Sequence, residues 1–208
     1  MIAVSSILKA AGHVLNDEDH DRWTISELTQ WVRYGVYQVV VFARQAGARQ
    51  VTVELNAGAY HVIPDCIQVL DVIRNTNGRP VTQTNRTALD SANPDWMTMR
   101  PGKPRQFTYD ERLETAIYTY PPAAAGTELD VVVSRAPEVN QGTTEIDMPE
   151  EYEATLVDYV LFRAFAKDSE YANGAIASSY LQSFSQALGL NSQQTASVSA
   201  NAARNAGQ

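Results

Sequence analysis

Three aspartates at alternate positions, Asp17, Asp19 and Asp21, are the part of this sequence that is most like a metal site. Alternating carboxylates of this kind open the calcium loop of an EF-hand, which also needs glycine at its sixth position and glutamate at its twelfth. This chain has Arg22 and Leu28 at those positions. The spacing therefore predicts an exposed acidic loop and not a calcium site.

The other residues that could do chemistry are isolated along the chain. His13, His20 and His61 fall in a helix end, an acidic loop and a strand, and Cys66 is the single cysteine. A lone cysteine excludes an internal disulfide and, with so few histidines, a structural zinc site. The sequence has no glycine-rich phosphate loop, and no nucleophile has a base beside it. We therefore expect no enzyme, no catalytic residue, no metal and no cofactor, and a hydrolase is disfavoured.

Length and charge narrow the class of protein further. The chain has 208 residues, which suits one domain or one domain with an inserted module. Its formal net charge of −8 argues against a protein that grips nucleic acid by neutralising phosphates. The longest purely apolar run, residues 39–43, is far shorter than the roughly 20 residues of a membrane helix. We expect a protein made and kept in solution, without a membrane partner.

Both ends of the chain have helical periodicity. Residues 4–15 carry one apolar stripe, and Thr24 followed by Glu27 is the signature of a helix start, which predicts a helix to about Ala46. Residues 150–188 predict two further helices, with Gly189 as the stop. Because amphipathic helices need partners for their apolar faces, we expect the two ends of the chain to form one helical bundle.

The middle of the chain has the alternating period of β-strands. Turn signals such as Asn75–Gly78 separate several short strands, one of which is expected to stop at Pro121 and Pro122 because proline has no N–H to donate. The predicted fold class is therefore α+β, a helical bundle with an inserted β-rich module that is barrel-like or sandwich-like, and an extended C-terminal tail. The predicted segments are 1–50 (N-terminal helices), 51–135 (β insertion), 136–190 (C-terminal helical hairpin) and 191–208 (arm).

A long irregular stretch, residues 85–106, interrupts the predicted strands. It contains Trp96 and then Arg100, Lys103 and Arg105 among prolines. Loops of this length usually have a function, and a large aromatic side chain in a loop commonly anchors an interface. We therefore predict that these four residues contact a neighbouring subunit or the next protein of an assembly. The alternative is that Trp96 only caps the β module.

The charges of the chain are distributed unevenly. Residues 136–162 contain seven acids and no lysine or arginine, whereas residues 74–112 contain seven bases and four acids. One interpretation is an ordinary solvated surface. The other is head-to-tail association of self-complementary subunits, which closes into a ring when the rotation allows it.

The last segment of the chain, residues 191–208, has little to bury. It has no aromatic residue, no leucine or isoleucine, one valine (Val198) and one charge (Arg204). Alone, such a segment cannot offset its conformational entropy and is expected to be disordered. Small polar side chains can lie in a narrow groove on another protein, so we expect a partner to order this arm.

Short motifs of aromatic and turn residues are spread over residues 20–190. They are Pro94-Asp95-Trp96, Phe107-Thr108-Tyr109-Asp110, Ile117-Tyr118-Thr119-Tyr120-Pro121-Pro122, Pro149-Glu150-Glu151-Tyr152, Phe162-Arg163-Ala164-Phe165-Ala166-Lys167-Asp168 and Phe184-Ser185-Gln186-Ala187-Leu188-Gly189. With the helical ends and the β insertion, they resemble the adaptor proteins at the head-to-tail junction of tailed phages. The layout is similar to that of the tail tubular A type of T7-like phages.

The resemblance implies a structural virion protein of the phage neck, synthesised in the host cytoplasm. It implies a dodecameric ring under the portal protein, joined to a tail protein that is a nozzle or a tail-tube or stopper protein. Phage DNA would pass through the channel without specific binding. A C-terminal extension would reach onto the portal. The resemblance assigns no individual contact residue, and within residues 191–208 we predict Asn191, Val198, Arg204 and Gln208 as the contacts. The alternative function is a monomeric, soluble protein-binding module.

Overall fold

The chain folds into two compact units in the computed structural model. One unit combines Met1–Ala46 with Ala136–Gln208, and the other is Gly47–Arg135. The helices are α1 (Val4–Leu15), α2 (Ile25–Phe42), α3 (Arg86–Ala92), α4 (Glu153–Ala166) and α5 (Gly174–Asn205). The strands are β1 (Ile2–Ala3), β2 (Ala48–Leu55), β3 (Gly58–Val62), β4 (Gln68–Asn75), β5 (Thr82–Gln83), β6 (Gln106–Thr108), β7 (Ala116–Ala123), β8 (Thr127–Ser134) and β9 (Glu145–Ile146). The structure describes residues 1–110, 112–167 and 171–205, with side chains through residue 189.

The first unit is a helical bundle, as the periodicity of the two chain ends predicts. Thr24 caps α2, because its Oγ1 accepts a hydrogen bond from the backbone N–H of Glu27 at 3.3 Å. Gly35 allows α2 to lie close to α4, since a Cβ at that position would stand 3.1 Å from the Tyr159 ring and 3.2 Å from Leu156. Both ends of the chain therefore contribute to one core, and a glycine sets the distance between two of its helices.

Two predicted helix ends in this unit are wrong. α2 ends at Phe42 and not near Ala46, because a 3-10 turn replaces its last residues. α5 continues past Gly189, so the backbone up to Asn205 is helical and not extended. Gly189 has no left-handed φ. A single glycine costs only about 1 kcal/mol inside a helix, so it does not by itself end α5. No helix in the described part of the chain combines the length and hydrophobicity of a membrane span.

The second unit consists of two open sheets with a common core. One sheet has the order β2-β8-β4 and the other β3-β7-β6-β5, in which β5 and β6 are parallel. The described strands form a sandwich-like pair of sheets and not a closed barrel. Strand residues alternate between faces, and the inward ones form the core. It contains Leu55, Ile63, Val69, Val72, Val81, Phe107, Ile117, Ala123, Leu129, Val131 and Val133.

Strand β7 passes through the two prolines that were expected to end it. It continues to Ala123, so the predicted stop at Pro121 and Pro122 is wrong. Proline lacks only the donor, and here the carbonyl oxygen of Pro122 accepts a hydrogen bond from the N–H of Gly102 at 2.8 Å. The strand therefore extends along a segment that supplies donors, where the missing proline N–H groups are not needed.

Candidate protein-binding surface

The segment between β5 and β6 folds onto the four-stranded sheet of the second unit. α3 begins after Asn85, whose Oδ1 accepts a hydrogen bond from the N–H of Thr87 at 2.8 Å. The segment packs on the sheet face opposite to Ile117, because strand side chains alternate. A second, smaller core forms there from Ala59, Leu89 and Trp96, with Tyr118 and Tyr120 against it. The stretch that sequence reasoning left irregular is therefore ordered by its own apolar cluster.

Trp96 is the centre of this smaller core. Only 1% of its surface is exposed, and its Nε1 donates to Asp90 Oδ1 at 2.8 Å. Its ring lies edge-on to Tyr118 and Tyr120, with centroids 6.3 and 6.4 Å away. This position agrees with the alternative that Trp96 caps the β module. The side chain holds the segment on the sheet, so a partner would meet the exposed residues around it.

After Trp96 the segment forms one wall of an open groove of about 690 Å³. Asn75, in the turn that forms the other wall, donates from Nδ2 to the carbonyl oxygen of Pro104 at 2.8 Å and to that of Arg79 at 3.2 Å. One amide therefore fixes both walls. The groove is lined by residues that include Arg79, Met99, Lys103, Arg105, Tyr120 and Pro121.

This groove has a net positive charge. Arg79, Lys103 and Arg105 are exposed, and no ion pair joins them to another residue that the structure describes. Arg74, by contrast, lies 2.7 Å from Asp130 and is neutralised by it. We call the surface formed by Arg79, Lys103 and Arg105 the basic groove. Of the predicted contact residues it brings Lys103 and Arg105 together, while Arg100 is exposed but is not among the residues that line it.

The sequence predicted only one wall of the basic groove, the one that carries Lys103 and Arg105. Arg79 and Asn75 come from a turn that the sequence identified only as a hairpin signal. Parallel pairing of β5 with β6, with Thr82 opposite Gln106, brings that turn next to Lys103 and Arg105. The excess of bases over residues 74–112 was the available signal, but composition does not indicate which of them converge.

The first unit carries an exposed row of acids before α4. Ile146 and Met148 are 0% and 2% exposed, and they alternate with the exposed Glu145 and Asp147. β9 pairs with β1 through Ile146 and Ile2, which fixes this extended segment on the bundle. We call the exposed surface of Glu145 and Glu150 the acidic ridge. Its carboxylates are thus presented by a segment whose backbone is already in place.

Asp17, the first of the three alternating aspartates, is a structural residue. Its side-chain oxygens accept hydrogen bonds from the backbone N–H groups of Asp21, Arg22 and Trp23 at 3.0 to 3.2 Å. Burial alone would raise the pKa of Asp17, but these N–H groups outweigh it and lower the pKa. Only 7% of the residue is exposed, so the prediction of an exposed loop is wrong at this position. Within the described residues, no three acids, histidines or cysteines converge as metal ligands would.

The nucleophilic and basic side chains named from the sequence lie in separate places. His61 is 5% exposed, its Nε2 lies 3.1 Å from Thr119 Oγ1, and burial lowers its pKa. The thiol of Cys66 donates to the carbonyl oxygen of Ile63 at 3.4 Å, and burial raises its pKa. His61 is therefore a neutral core residue at pH 7, and Cys66 stays protonated there.

The four residues predicted to contact the portal fall at the end of the chain. Asn191, Val198 and Arg204 belong to the part of α5 in which only the backbone is described, and Gln208 lies outside the described residues. Their contacts stay predictions.

Comparison with known proteins tests the resemblance that the sequence motifs suggested. A family model described as SU10 adaptor protein matches residues 2–206, which include both units. No match was found among curated proteins. The match extends over nearly the whole chain and confirms the resemblance to an adaptor of this kind. The chain belongs to the SU10 adaptor protein family.

Proposed function

We propose that this protein forms a dodecameric ring that docks on the portal protein of a bacteriophage and joins it to the tail. The observation that carries the proposal is the family match over residues 2–206, because an adaptor is a structural protein that links head and tail proteins at their junction. The role is structural and not catalytic. The protein needs no cofactor, and its place is the neck of the virion.

Three features of the chain support this assembly. The basic groove and the acidic ridge lie on different units and have opposite charge, which suits head-to-tail contacts between subunits. The segment held by Trp96 presents Arg100, Lys103 and Arg105 to a neighbouring subunit or to the tail protein, a nozzle or a tail-tube or stopper protein. The end of the chain, with Asn191, Val198, Arg204 and Gln208 as predicted contacts, docks on the portal. Phage DNA passes the ring without specific binding, since a net charge of −8 opposes phosphate contacts.

Electron microscopy and native mass spectrometry of the full chain, alone and with the portal protein of the same phage, test this function. We expect a ring with an open centre whose mass corresponds to a dodecamer and which co-sediments with portal. A protein that stays a monomer under both conditions would instead indicate a soluble binding module. A ring that does not bind the portal would contradict the proposed docking but not the proposed ring.

A further inference from the structure

We propose that the basic groove of one copy binds the acidic ridge of a second copy, and that this contact is the one that repeats around the ring. The inference rests on the proposed function, because it names the contact by which the ring is built. It commits Lys103, Arg105 and Arg79 to a second copy of this chain and not to a tail protein. Glu145 and Glu150 are the residues that they would meet.

Charge is the first argument for this pairing. The three cations of the basic groove have no ion pair among the described residues, although Arg74 and Arg86 on the same unit are paired with Asp130 and Asp90. The groove is therefore left with positive charge that the subunit itself does not neutralise. The acidic ridge belongs to residues 136–162, which contain no lysine or arginine, although the N-terminal ammonium of Met1 lies 3.8 Å from Glu150 Oε1. Opposite potentials on two surfaces of one chain favour binding between copies and fix its register.

Shape is the second argument. Neighbouring residues of an extended segment point to opposite sides, so Glu145 projects from the bundle on the side away from the buried Ile146. The basic groove is open and has Met99, Tyr120 and Pro121 beside its cations, which gives apolar surface to cover. A ridge that enters such a groove excludes water from the ion pairs, and charges interact more strongly when water is excluded.

Both surfaces are already ordered in the subunit, so binding need not order them. Buried Ile146 and Met148 hold the acidic ridge, and the Asn75 amide holds the two walls of the basic groove. Association between preorganised surfaces loses less conformational entropy than the folding of a loose loop onto a partner. Many copies of one modest contact, closed into a ring, then act together.

Nucleic acid is the other class of ligand that could occupy three cations. Its phosphates would have to approach a chain with a net charge of −8, and a groove with three bases neutralises few of them. A second copy carries the same net charge, so the choice rests on number: three cations match the few carboxylates of one acidic ridge but only a small part of a nucleic-acid backbone. Specific binding of DNA to the basic groove would therefore contradict the proposal.

Charge exchange between the two surfaces tests the contact. Variant A is Lys103→Glu with Arg105→Glu, and variant B is Glu145→Lys with Glu150→Lys. Analytical ultracentrifugation should show wild-type self-association and a loss of about tenfold or more in the association constant of A alone and of B alone. An equimolar mixture of A and B should associate again. Each subunit then meets a neighbour of opposite charge, which an alternating ring with an even number of subunits permits.

The controls separate a specific contact from a general effect of charge. Lys9→Glu with Arg112→Glu changes the net charge as variant A does, and Asp19→Lys with Glu54→Lys changes it as variant B does; all four positions are exposed. Both controls should associate like the wild type. Circular dichroism and thermal melting identify a variant that fails to fold, and Lys103→Gln with Arg105→Gln and Glu145→Gln with Glu150→Gln then replace the reversals. Variants A and B that associate like the wild type, or a mixture that does not recover, would overturn the proposal.

Binding of a labelled peptide of residues 143–154 tests the pairing of groove and ridge independently of ring formation. We expect the peptide to bind the wild-type protein, and to bind variant A about tenfold or more weakly, in fluorescence anisotropy. If the wild type never associates but the peptide binds in this way, the ring is refuted and the pairing of groove and ridge stands. If the wild type forms rings but the peptide binds variant A equally well, the pairing is refuted and the ring stands. A labelled DNA duplex that binds the wild type and not variant A would assign the groove to nucleic acid.

Discussion

His61 is a buried histidine, and the folded β module favours its neutral form. Its Nε2 lies 3.1 Å from Thr119 Oγ1, and burial lowers its pKa because water no longer solvates the charged ring. The unfolded chain has an ordinary histidine pKa of about 6.5 and takes up a proton first as the pH falls. Protonation of His61 therefore favours unfolding, and its contribution makes stability increase with pH between the lowered pKa of the folded state and about 6.5.

His61→Gln should remove this part of the pH dependence. We expect the urea midpoint of the wild type to fall between about pH 7.5 and about pH 5.5, and the midpoint of the variant to fall less, because glutamine has no proton to take up. At neutral pH the variant should lose about 1–2 kcal/mol through an altered buried hydrogen bond. His13→Gln with Glu18→Gln is the control for an exposed histidine, because the side chain of His13 is 53% exposed and its Nδ1 lies 2.8 Å from Glu18 Oε1. Equal slopes for His61→Gln and the wild type would contradict this account of His61.

Trp96 acts at the scale of the element that it attaches. Its ring lies between α3 and the sheet, and its indole N–H is satisfied by Asp90. Trp96→Ala should destabilise the β module by about 3–5 kcal/mol, since a large buried side chain leaves a cavity. Trp96→Phe should cost less, because an aromatic ring remains and mainly the hydrogen bond is lost. Urea unfolding measures both, and limited proteolysis should show cleavage within residues 84–106 of the alanine variant first.

The same variants separate the two functions considered for Trp96. If Trp96 is chiefly an interface anchor, Trp96→Ala leaves the stability of the subunit unchanged and weakens its association. If Trp96 chiefly holds the segment, stability falls even in a dilute monomer. Its exposed fraction of 1% leads us to expect the second result.

A substitution at Gly189 tests whether this residue lies in the interior of α5 or at a helix end. The structure places it inside α5, and a Cβ added there meets nothing within 4 Å. Gly189→Ala should therefore increase the helical signal in circular dichroism and stabilise α5 by about 0.5–1 kcal/mol. Were Gly189 the left-handed cap that its sequence position suggested, alanine would be strained there and the signal would decrease.

Local sequence signals predicted which helices and turns form better than they predicted where the helices end or which strands pair. The cap formed by Thr24 and Glu27 and the turn at Asn75 are decided by neighbouring residues, so the sequence was sufficient for them. The end at Gly189 was wrong because a single glycine costs only about 1 kcal/mol inside a helix and does not by itself end one. The basic groove was only half predicted, since Arg79 joins Lys103 through the parallel pairing of β5 with β6. Such long-range pairing is not decided by any local pattern.

At the scale of the whole molecule, the surfaces proposed for different partners lie on different parts of the chain. The β unit carries the basic groove, the helical unit carries the acidic ridge, and neither surface needs the end of the chain. Contacts between subunits and contacts with the portal can therefore be separated. A variant that loses the contact between subunits should still bind the portal, and the reverse should also hold. This would not be possible if a single surface made both contacts.

Truncation after Leu190 should leave a folded subunit that no longer attaches to the portal. Phe184 and Leu188 are 4% and 3% exposed and remain in the bundle, so the thermal melting temperature should change little. The residues removed include the predicted portal contacts, and they contribute avidity because every subunit of a ring would present one copy. Co-sedimentation with portal measures the attachment, and a chain with residues 191–208 in scrambled order is the matched control for length and composition. A truncated protein that binds portal as tightly as the full chain would show that the portal site lies elsewhere in the subunit.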